Sequence, residues 1–174
     1  MTLSLYAVTV PTFQQMLGSI DRILDTAVAH CTDRGLDPAA LLDARLTADM
    51  LPFAYQVKSA VVHSMGAVEG VKAGIFRPDS TTPPDSFEGL KARVHEALTY
   101  LAAITPKDLD ALQGGDMRFG FGEAHIDFLA EDFFLSFSLP NFYFHVTTAY
   151  AILRMQGVPL GKRDYIGKWR KKPG

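Results

Sequence analysis

The stretch FFLSFSLPNFYFHVTTAYAIL, residues 133–153, decides the fold class of this 174-residue chain. It contains no charged side chain, and its apolar residues recur at alternating steps of four and three. The recurring positions are Leu135, Leu139, Phe142, Val146, Ala149 and Leu153. On a helix such positions form one continuous apolar stripe. The stretch therefore predicts a buried helix.

A line of polar residues lies beside this stripe, about 100° round the same helix. The line consists of Ser138, Asn141, His145 and Thr148. Buried polar groups need partners, and a cluster of them is the first place to look for chemistry. We predict that this line faces a small-ligand pocket. The alternative for His145 is a core imidazole whose nitrogens are satisfied by its neighbours.

Three other segments have the apolar spacing of bundle helices. The first is predicted to begin at Pro11 and to run to about Thr32, and the second runs from Pro52 to about Lys72. The third opens at Asp85 with a capping-box pattern. Their stripes, in chain order, are Phe13, Leu17, Ile20, Leu24, Ala27 and Cys31; Phe53, Val57, Ala60, Ser64, Ala67 and Val71; Phe87, Leu90, Val94, Ala97, Leu101 and Ile104.

The period changes from helical to alternating between Gly114 and Phe128, with Gly122 at the centre, which predicts a small β-hairpin. Pro140 either kinks the last long helix or restarts it. Short helices are expected near residues 38–44 and 106–112. The sequence predicts an all-α fold, an up-and-down four-helix bundle with a small β-hairpin before the last long helix.

Composition narrows the classes of partner. The formal net charge is −2 and the pI is near 6.2, which gives no reason to expect nucleic acid or an anionic membrane surface as a partner. Residues 133–153 have the length of a membrane span, but proline, asparagine, histidine and hydroxyl side chains interrupt them. The only cysteine, Cys31, lies on an apolar stripe and suits a reducing compartment. A cytoplasmic location is expected.

The end of the chain differs from the rest in charge. Residues 168–172 read KWRKK, so we divide the sequence into a single domain at 1–167 and a basic tail at 168–174. A short basic terminus is expected to be solvated. Binding of phosphate or lipid is the alternative for this tail.

Three separated motifs are familiar: ARLTADM at residues 44–50, LPNFYFHVTTAYAILR at 139–154 and GKRDYIG at 161–167. Together, over residues 1–167, they resemble an uncharacterised bacterial domain-of-unknown-function family within the DinB/YfiT-like superfamily. The resemblance implies a four-helix bundle that is commonly dimeric. Members of the wider superfamily typically hold a divalent metal with a histidine of helix two and a His-x-x-x-His pair of helix four.

The helix-four pair reads Asn141-x-x-x-His145 in this chain. An amide is a much poorer ligand for zinc or nickel than an imidazole. By the resemblance, His63 of helix two would complete a weakened metal site, with Gln56 as a neighbour and zinc, nickel or manganese as the ion. Lys58 suggests that helix two has a wet side, and a slight rotation would place His63 on that side instead.

Two functions follow from these residues. The first is a dimeric DinB-like protein with a degraded metal site, whose pocket between helices two and four binds a small molecule or serves a structural role; the pocket is lined by Gln56, His63, Ser138, Asn141, His145 and Thr148. The alternative, implied by the resemblance, is a metal-dependent thiol S-transferase. No catalytic residue is assigned. Homodimerisation is expected from the aromatic side chains Phe133, Phe137, Phe144 and Tyr150.

Overall fold

The computed structural model describes residues 4–172 and is mostly helical, with one small sheet. The helices are α1 Leu5–Arg34, α2 Pro38–Leu42, α3 Phe53–Val61, α4 Ala67–Ala73, α5 Phe87–Ala103, α6 Pro106–Asp110, α7 Ala130–Asp132, α8 Leu139–Met155 and α9 Lys162–Ile166. Two π-helical segments interrupt them: π1 Val62–Gly66 joins α3 to α4, and π2 Phe133–Ser138 joins α7 to α8. The strands are β1 Ile75–Phe76, β2 Asp116–Phe121 and β3 Ala124–Leu129.

The long helices pack around a common apolar core. Helix α1 lies against α5 and α8, and α3 lies against α8 and α5. Every residue of the three stripes predicted for the first three long helices is buried. The spacing of apolar residues therefore identified the packing faces of these helices.

Within residues 4–172, no helix combines the length and apolar character that a membrane crossing requires.

Helix α1 begins earlier than predicted. It starts at Leu5, where Ser4 is the N-cap and its hydroxyl accepts a hydrogen bond from the amide of Ala7 at 3.0 Å. Pro11, the predicted first residue, lies inside the helix. A proline there removes a single backbone hydrogen bond, and the burial of Leu5 and Val10 on the core face offsets that loss.

The ends of the other helices follow local signals closely. Ser86, one residue after the predicted Asp85, caps α5, and its hydroxyl accepts from the amide of Gly89 at 3.1 Å. Gly74 ends α4 with φ at 73°, a left-handed conformation that glycine adopts without strain. The second long helix has the predicted extent, but π1 divides it.

The predicted stripe of the last long helix is wrong in its first two positions. Leu135 is 51% exposed and Leu139 is only partly buried, whereas Phe134 and Ser138 are both 0% exposed. The π-helical hydrogen-bond pattern of π2 adds one residue to each turn, so the buried face moves by one position before Leu139. Pro140 lies in the first turn of α8, immediately after π2, and the helix runs through it without a break.

The predicted hairpin is confirmed, and it belongs to a three-stranded sheet. Strands β2 and β3 are antiparallel, and Gly122 in their turn has φ of 60°. Strand β1 pairs with β2 in parallel, with Ile75 opposite Arg118. A two-residue strand gives no alternating pattern, so β1 was not predicted. Its pairing holds Phe76 in the core, against the side chains described below.

The shift in π2 can be tested with adjacent truncations. Phe134→Ala removes a fully buried ring and should lower the free energy of unfolding by about 3–5 kcal/mol. Leu135→Ala removes an exposed side chain and should change it by about 0.5 kcal/mol or less. Urea unfolding followed by circular dichroism measures both. If the buried face followed the predicted stripe without a π-helical shift, Leu135→Ala would be the more destabilising substitution.

Candidate functional site

Two histidines from different helices lie side by side in the interior. His63 belongs to π1 and His145 to α8, and their rings are nearly parallel, with centroids 5.7 Å apart and planes 18° from each other. The two helices that carry these rings, α3 with its continuation π1 and α8, pack directly on each other. The polar residues of the two helices therefore share one site.

Gln56 fixes the proton of His145. The side-chain nitrogen of Gln56 donates to the carbonyl of Leu51 at 2.8 Å, so its Oε1 is left to accept. That oxygen lies 2.8 Å from Nδ1 of His145. A neutral imidazole carries one proton, and here the acceptor holds it on Nδ1. Nε2 of His145 is consequently an unprotonated hydrogen-bond acceptor.

His63 has a buried nitrogen with no partner. Among the described residues, its Nδ1 is the one buried side-chain nitrogen or oxygen atom that makes no protein hydrogen bond. The ring lies among aromatic side chains, with centroids 5.6 Å from those of Phe76 and Phe137. Buried polar atoms are normally paired. Left unpaired in an aromatic surrounding, this nitrogen favours the neutral form of the ring.

Both imidazoles are uncharged at neutral pH. Burial lowers the pKa of His63 to about 4, with a smaller contribution from the neighbouring His145. Burial alone lowers the pKa of His145 to about 4. A low-dielectric environment penalises the charged form of a base. The site therefore presents two neutral nitrogen acceptors at pH 7.

The two imidazoles line a cavity of about 110 Å³. Its other walls combine aromatic and polar side chains from helix, strand and loop: Tyr55, Phe76, Phe119 and Phe137, with Lys58, Ser59, Val62, Pro78 and Asp79. A larger groove of about 400 Å³ adjoins it and shares the side chains of Val62, Phe76 and Asp79. The site thus has room for an organic molecule and an apolar surface for it to contact.

Lys58 closes one side of this cavity. Its side chain is only 4% exposed, and its ammonium group lies 3.2 Å from the carboxylate of Asp79. It also donates to the backbone carbonyls of Asp79, at 3.0 Å, and of Thr81. Burial raises the pKa of Asp79, but hydrogen bonds from Thr81 and Lys58 outweigh burial and lower it overall. The suggestion of a wet side at Lys58 was therefore wrong.

The remaining predicted residues lie around the imidazoles rather than in the cavity. The hydroxyl of Ser138 donates to the carbonyl of His63 at 2.7 Å. The amide nitrogen of Asn141 donates to the carbonyl of Phe137, one turn earlier, at 2.8 Å. Thr148 is buried, and neither it nor Gln56 lines the cavity. Gln56 acts on the site through His145.

The donor set does not fit a resident metal with three protein ligands. Within the described chain, no group of three histidine, cysteine, aspartate or glutamate residues lies close enough to hold one ion. Besides the two imidazoles, the predicted set offers only the amide oxygen of Asn141, a poor ligand for zinc or nickel. A catalytic zinc site has three protein ligands as a rule. We derive no chemistry from a metal at His63, Asn141 and His145.

Sequence reasoning missed the loop side of the cavity. Lys58 looked like a solvated residue because lysine is rarely buried without a partner. Its partners belong to residues 79–81, in a proline-rich loop with no periodic pattern that predicts where it packs. Phe76 and Phe119 reach the cavity through the pairing of β1 with β2. No local signal in the sequence identifies these contacts.

The fold and the site together define a protein of the DinB-like helical class. A DinB family member protein from Shewanella denitrificans, known from a crystal structure, is similar to this chain with a TM-score of 0.82 and 29% identity. The match covers 98% of this chain and 96% of that one. No curated protein matches. The chain belongs to the family described as Domain of unknown function (DUF1993), which matches residues 5–166.

The two lowered histidine pKa values predict an acid-sensitive fold. Because the unfolded imidazoles gain protons near pH 6.5 and the folded ones only near pH 4, stability is full above pH 6.5 and falls as the pH drops towards 4. The loss is on the order of 3 kcal/mol for each imidazole. Urea unfolding between pH 7 and 4.5 measures it. The variant His63→Gln/His145→Gln should show a flatter pH dependence than the surface control His125→Gln; equal slopes would contradict the assignment.

Proposed function

We propose that this protein binds a small, neutral organic molecule in the cavity beside His63 and His145. The observation that carries the proposal is the 2.8 Å contact between Nδ1 of His145 and Oε1 of Gln56. It leaves Nε2 of the same ring as an oriented acceptor in a site walled by aromatic side chains. A concave site that combines aromatic walls with a few oriented polar groups is typical of a ligand site.

The charges of the site favour a neutral ligand. Both imidazoles are uncharged, since burial lowers their pKa values to about 4. The ammonium group of Lys58 is already paired with Asp79. An added charge would find no free counter-charge in the cavity and would lose its hydration. A neutral ligand that donates a hydrogen bond through a hydroxyl or amide group loses less hydration free energy on entering the cavity.

The size and walls of the cavity favour a ligand with a ring. An apolar protein cavity of about 150 Å³ is known to accept benzene. The cavity here is smaller, about 110 Å³, but it adjoins the larger groove, so we expect a ring to extend from the cavity into the groove along Val62 and Phe76. Aromatic walls stabilise such a ring through offset or edge contacts. The donor group of the ligand would then face His145.

This proposal leaves the metal-dependent thiol S-transferase as the competing function. The competing function requires a metal to lower the pKa of a thiol, and the residues around His63 and His145 supply only two strong ligands. Elemental analysis of untagged protein separates the two functions. Stoichiometric zinc, nickel or manganese that disappears in His145→Ala would support the enzyme and contradict the proposal.

Phenol is a suitable probe because it combines a ring with one hydroxyl donor. Phenol should bind saturably and raise the melting temperature. Toluene, which lacks the hydroxyl, should have a dissociation constant at least about tenfold higher. His145→Ala should remove this difference, since it removes the acceptor. Calorimetric titration and thermal denaturation measure the two effects.

The matched control for this experiment is His95→Ala, because the His95 side chain is 56% exposed and belongs to α5. That variant should bind phenol as the unmodified protein does. The proposal fails if phenol and toluene bind equally well to the unmodified chain. It also fails if the preference for phenol survives in His145→Ala.

We infer further that the chain forms a homodimer with the up-and-down four-helix topology. The contacts of α1 with α5 and of α3 with α8 support that topology. Of the four aromatic residues that suggested a dimer, Phe133 is fully buried and Phe137 and Tyr150 are partly covered within the chain. Phe144 is 54% exposed on α8, the helix that carries His145. The buried thiol of Cys31 supports a reducing, cytoplasmic location.

Substitution of a single side chain tests the dimer. Phe144→Glu places a charge where an apolar contact is proposed, so it should shift the mass measured by light scattering at micromolar concentration from dimer to monomer. Met155→Glu, at a position 51% exposed on the same helix, should leave the dimer intact. A monomer mass for the unmodified protein would reject the inference.

A further inference from the structure

A groove of about 520 Å³ lies between α1 and the segment that follows α9, away from the histidine cavity. Four cationic side chains line it: Arg22 from α1, and Lys168, Arg170 and Lys171 from the following segment. None of the residues that line the groove is acidic. In the part of the chain that the structure describes, no carboxylate lies within 4.0 Å of these four cations.

The end of α9, just before the basic residues, is attached to α1, whereas residues 168–172 are themselves exposed, as their composition suggested. The side-chain amide of Gln15 donates to the carbonyl of Ile166 at 2.9 Å, and the hydroxyl of Ser19 donates to the carbonyl of Tyr165 at 2.7 Å. Farther along, Arg170 donates to the hydroxyl of Thr12 at 3.4 Å. These contacts place the start of the basic segment beside α1.

Gly167 makes room for the guanidinium of Arg22. Its φ is 69°, and a Cβ at this position would lie 2.5 Å from Nη2 of Arg22. Any other residue would therefore strain the backbone and displace the arginine. Gly167 thus leaves Arg22 beside the start of the basic segment.

We propose that this groove binds a phosphate-bearing small molecule. Guanidinium groups match phosphate oxygens with pairs of parallel hydrogen bonds, and ammonium groups add point charges. Four unpaired cations suit a ligand with several negative charges better than a monocarboxylate, which would leave most of them uncompensated. On a chain with formal net charge −2, this local positive potential attracts anions to one face.

Trp169 gives the groove an aromatic surface as well. Its side chain is 57% exposed, and the ammonium group of Lys171 lies 5.5 Å from the ring centroid. An exposed indole beside cations offers a face on which the organic part of a phosphate ester can stack. The cationic side chains and the ring thus recognise different parts of one ligand.

Trp169 also provides the test, because it is the only tryptophan of the chain. Titration with pyrophosphate at low ionic strength should change its fluorescence saturably, and added salt should weaken the binding. Arg22→Gln should raise the dissociation constant about tenfold or more, because a charge-assisted hydrogen bond is lost. Arg34→Gln, the same change in charge at the end of α1, should alter it by less than about twofold.

The source of the phosphate is distinguished in a second arm with vesicles. Saturation by pyrophosphate without sedimentation on phosphatidic acid vesicles identifies a soluble phosphate compound as the ligand. Sedimentation that Arg22→Gln removes and Arg34→Gln preserves identifies a lipid headgroup. A flat fluorescence titration together with no vesicle binding overturns the proposal. Equal weakening by the two arginine variants also overturns it, because net charge alone would then explain the binding.

Discussion

A hydrogen bond between two π-helical segments organises the interior of this protein. The hydroxyl of Ser138, in π2, donates to the carbonyl of His63, in π1, at 2.7 Å. A π-helical turn disturbs the regular bonding of backbone carbonyls, and such turns recur at functional sites. Here Ser138 satisfies one of those carbonyls across the helix interface, in a fully buried position. Its place at the interface depends on the π-helical shift that turns Ser138 inward.

The same shift determines the chemistry of the cavity. It turns Phe137 towards His63 and leaves His145, two turns farther along, facing Gln56. The imidazoles are then buried side by side, and burial makes their protonation unfavourable. Lys58, the cation nearest to them in sequence, is neutralised by the loop that covers it. A neutral interior with oriented acceptors follows from these contacts, and it differs in kind from a three-ligand metal centre.

Apolar periodicity predicted most of the helices, since burial of one face leaves a 3.6-residue pattern in the sequence. It placed the core residues of α1, α3 with α4, and α5 at their observed positions. It failed at Leu135 because a periodic count assumes one helical geometry throughout. Of the residues predicted for the site, His63, His145 and Gln56 lie together, whereas Asn141 bonds within its own helix.

The sequence by itself determined the helical class, the packing faces of three long helices, the hairpin and the two histidines of the site. These features depend on local turns and on periodic burial, both of which are determined by residues close together in the sequence. The tertiary structure alone decided the proton position on His145, the burial of Lys58 under residues 79–81 and the basic groove beside Arg22. Each of these depends on which atoms meet across helices and loops, and no residue's near neighbours in sequence determine that.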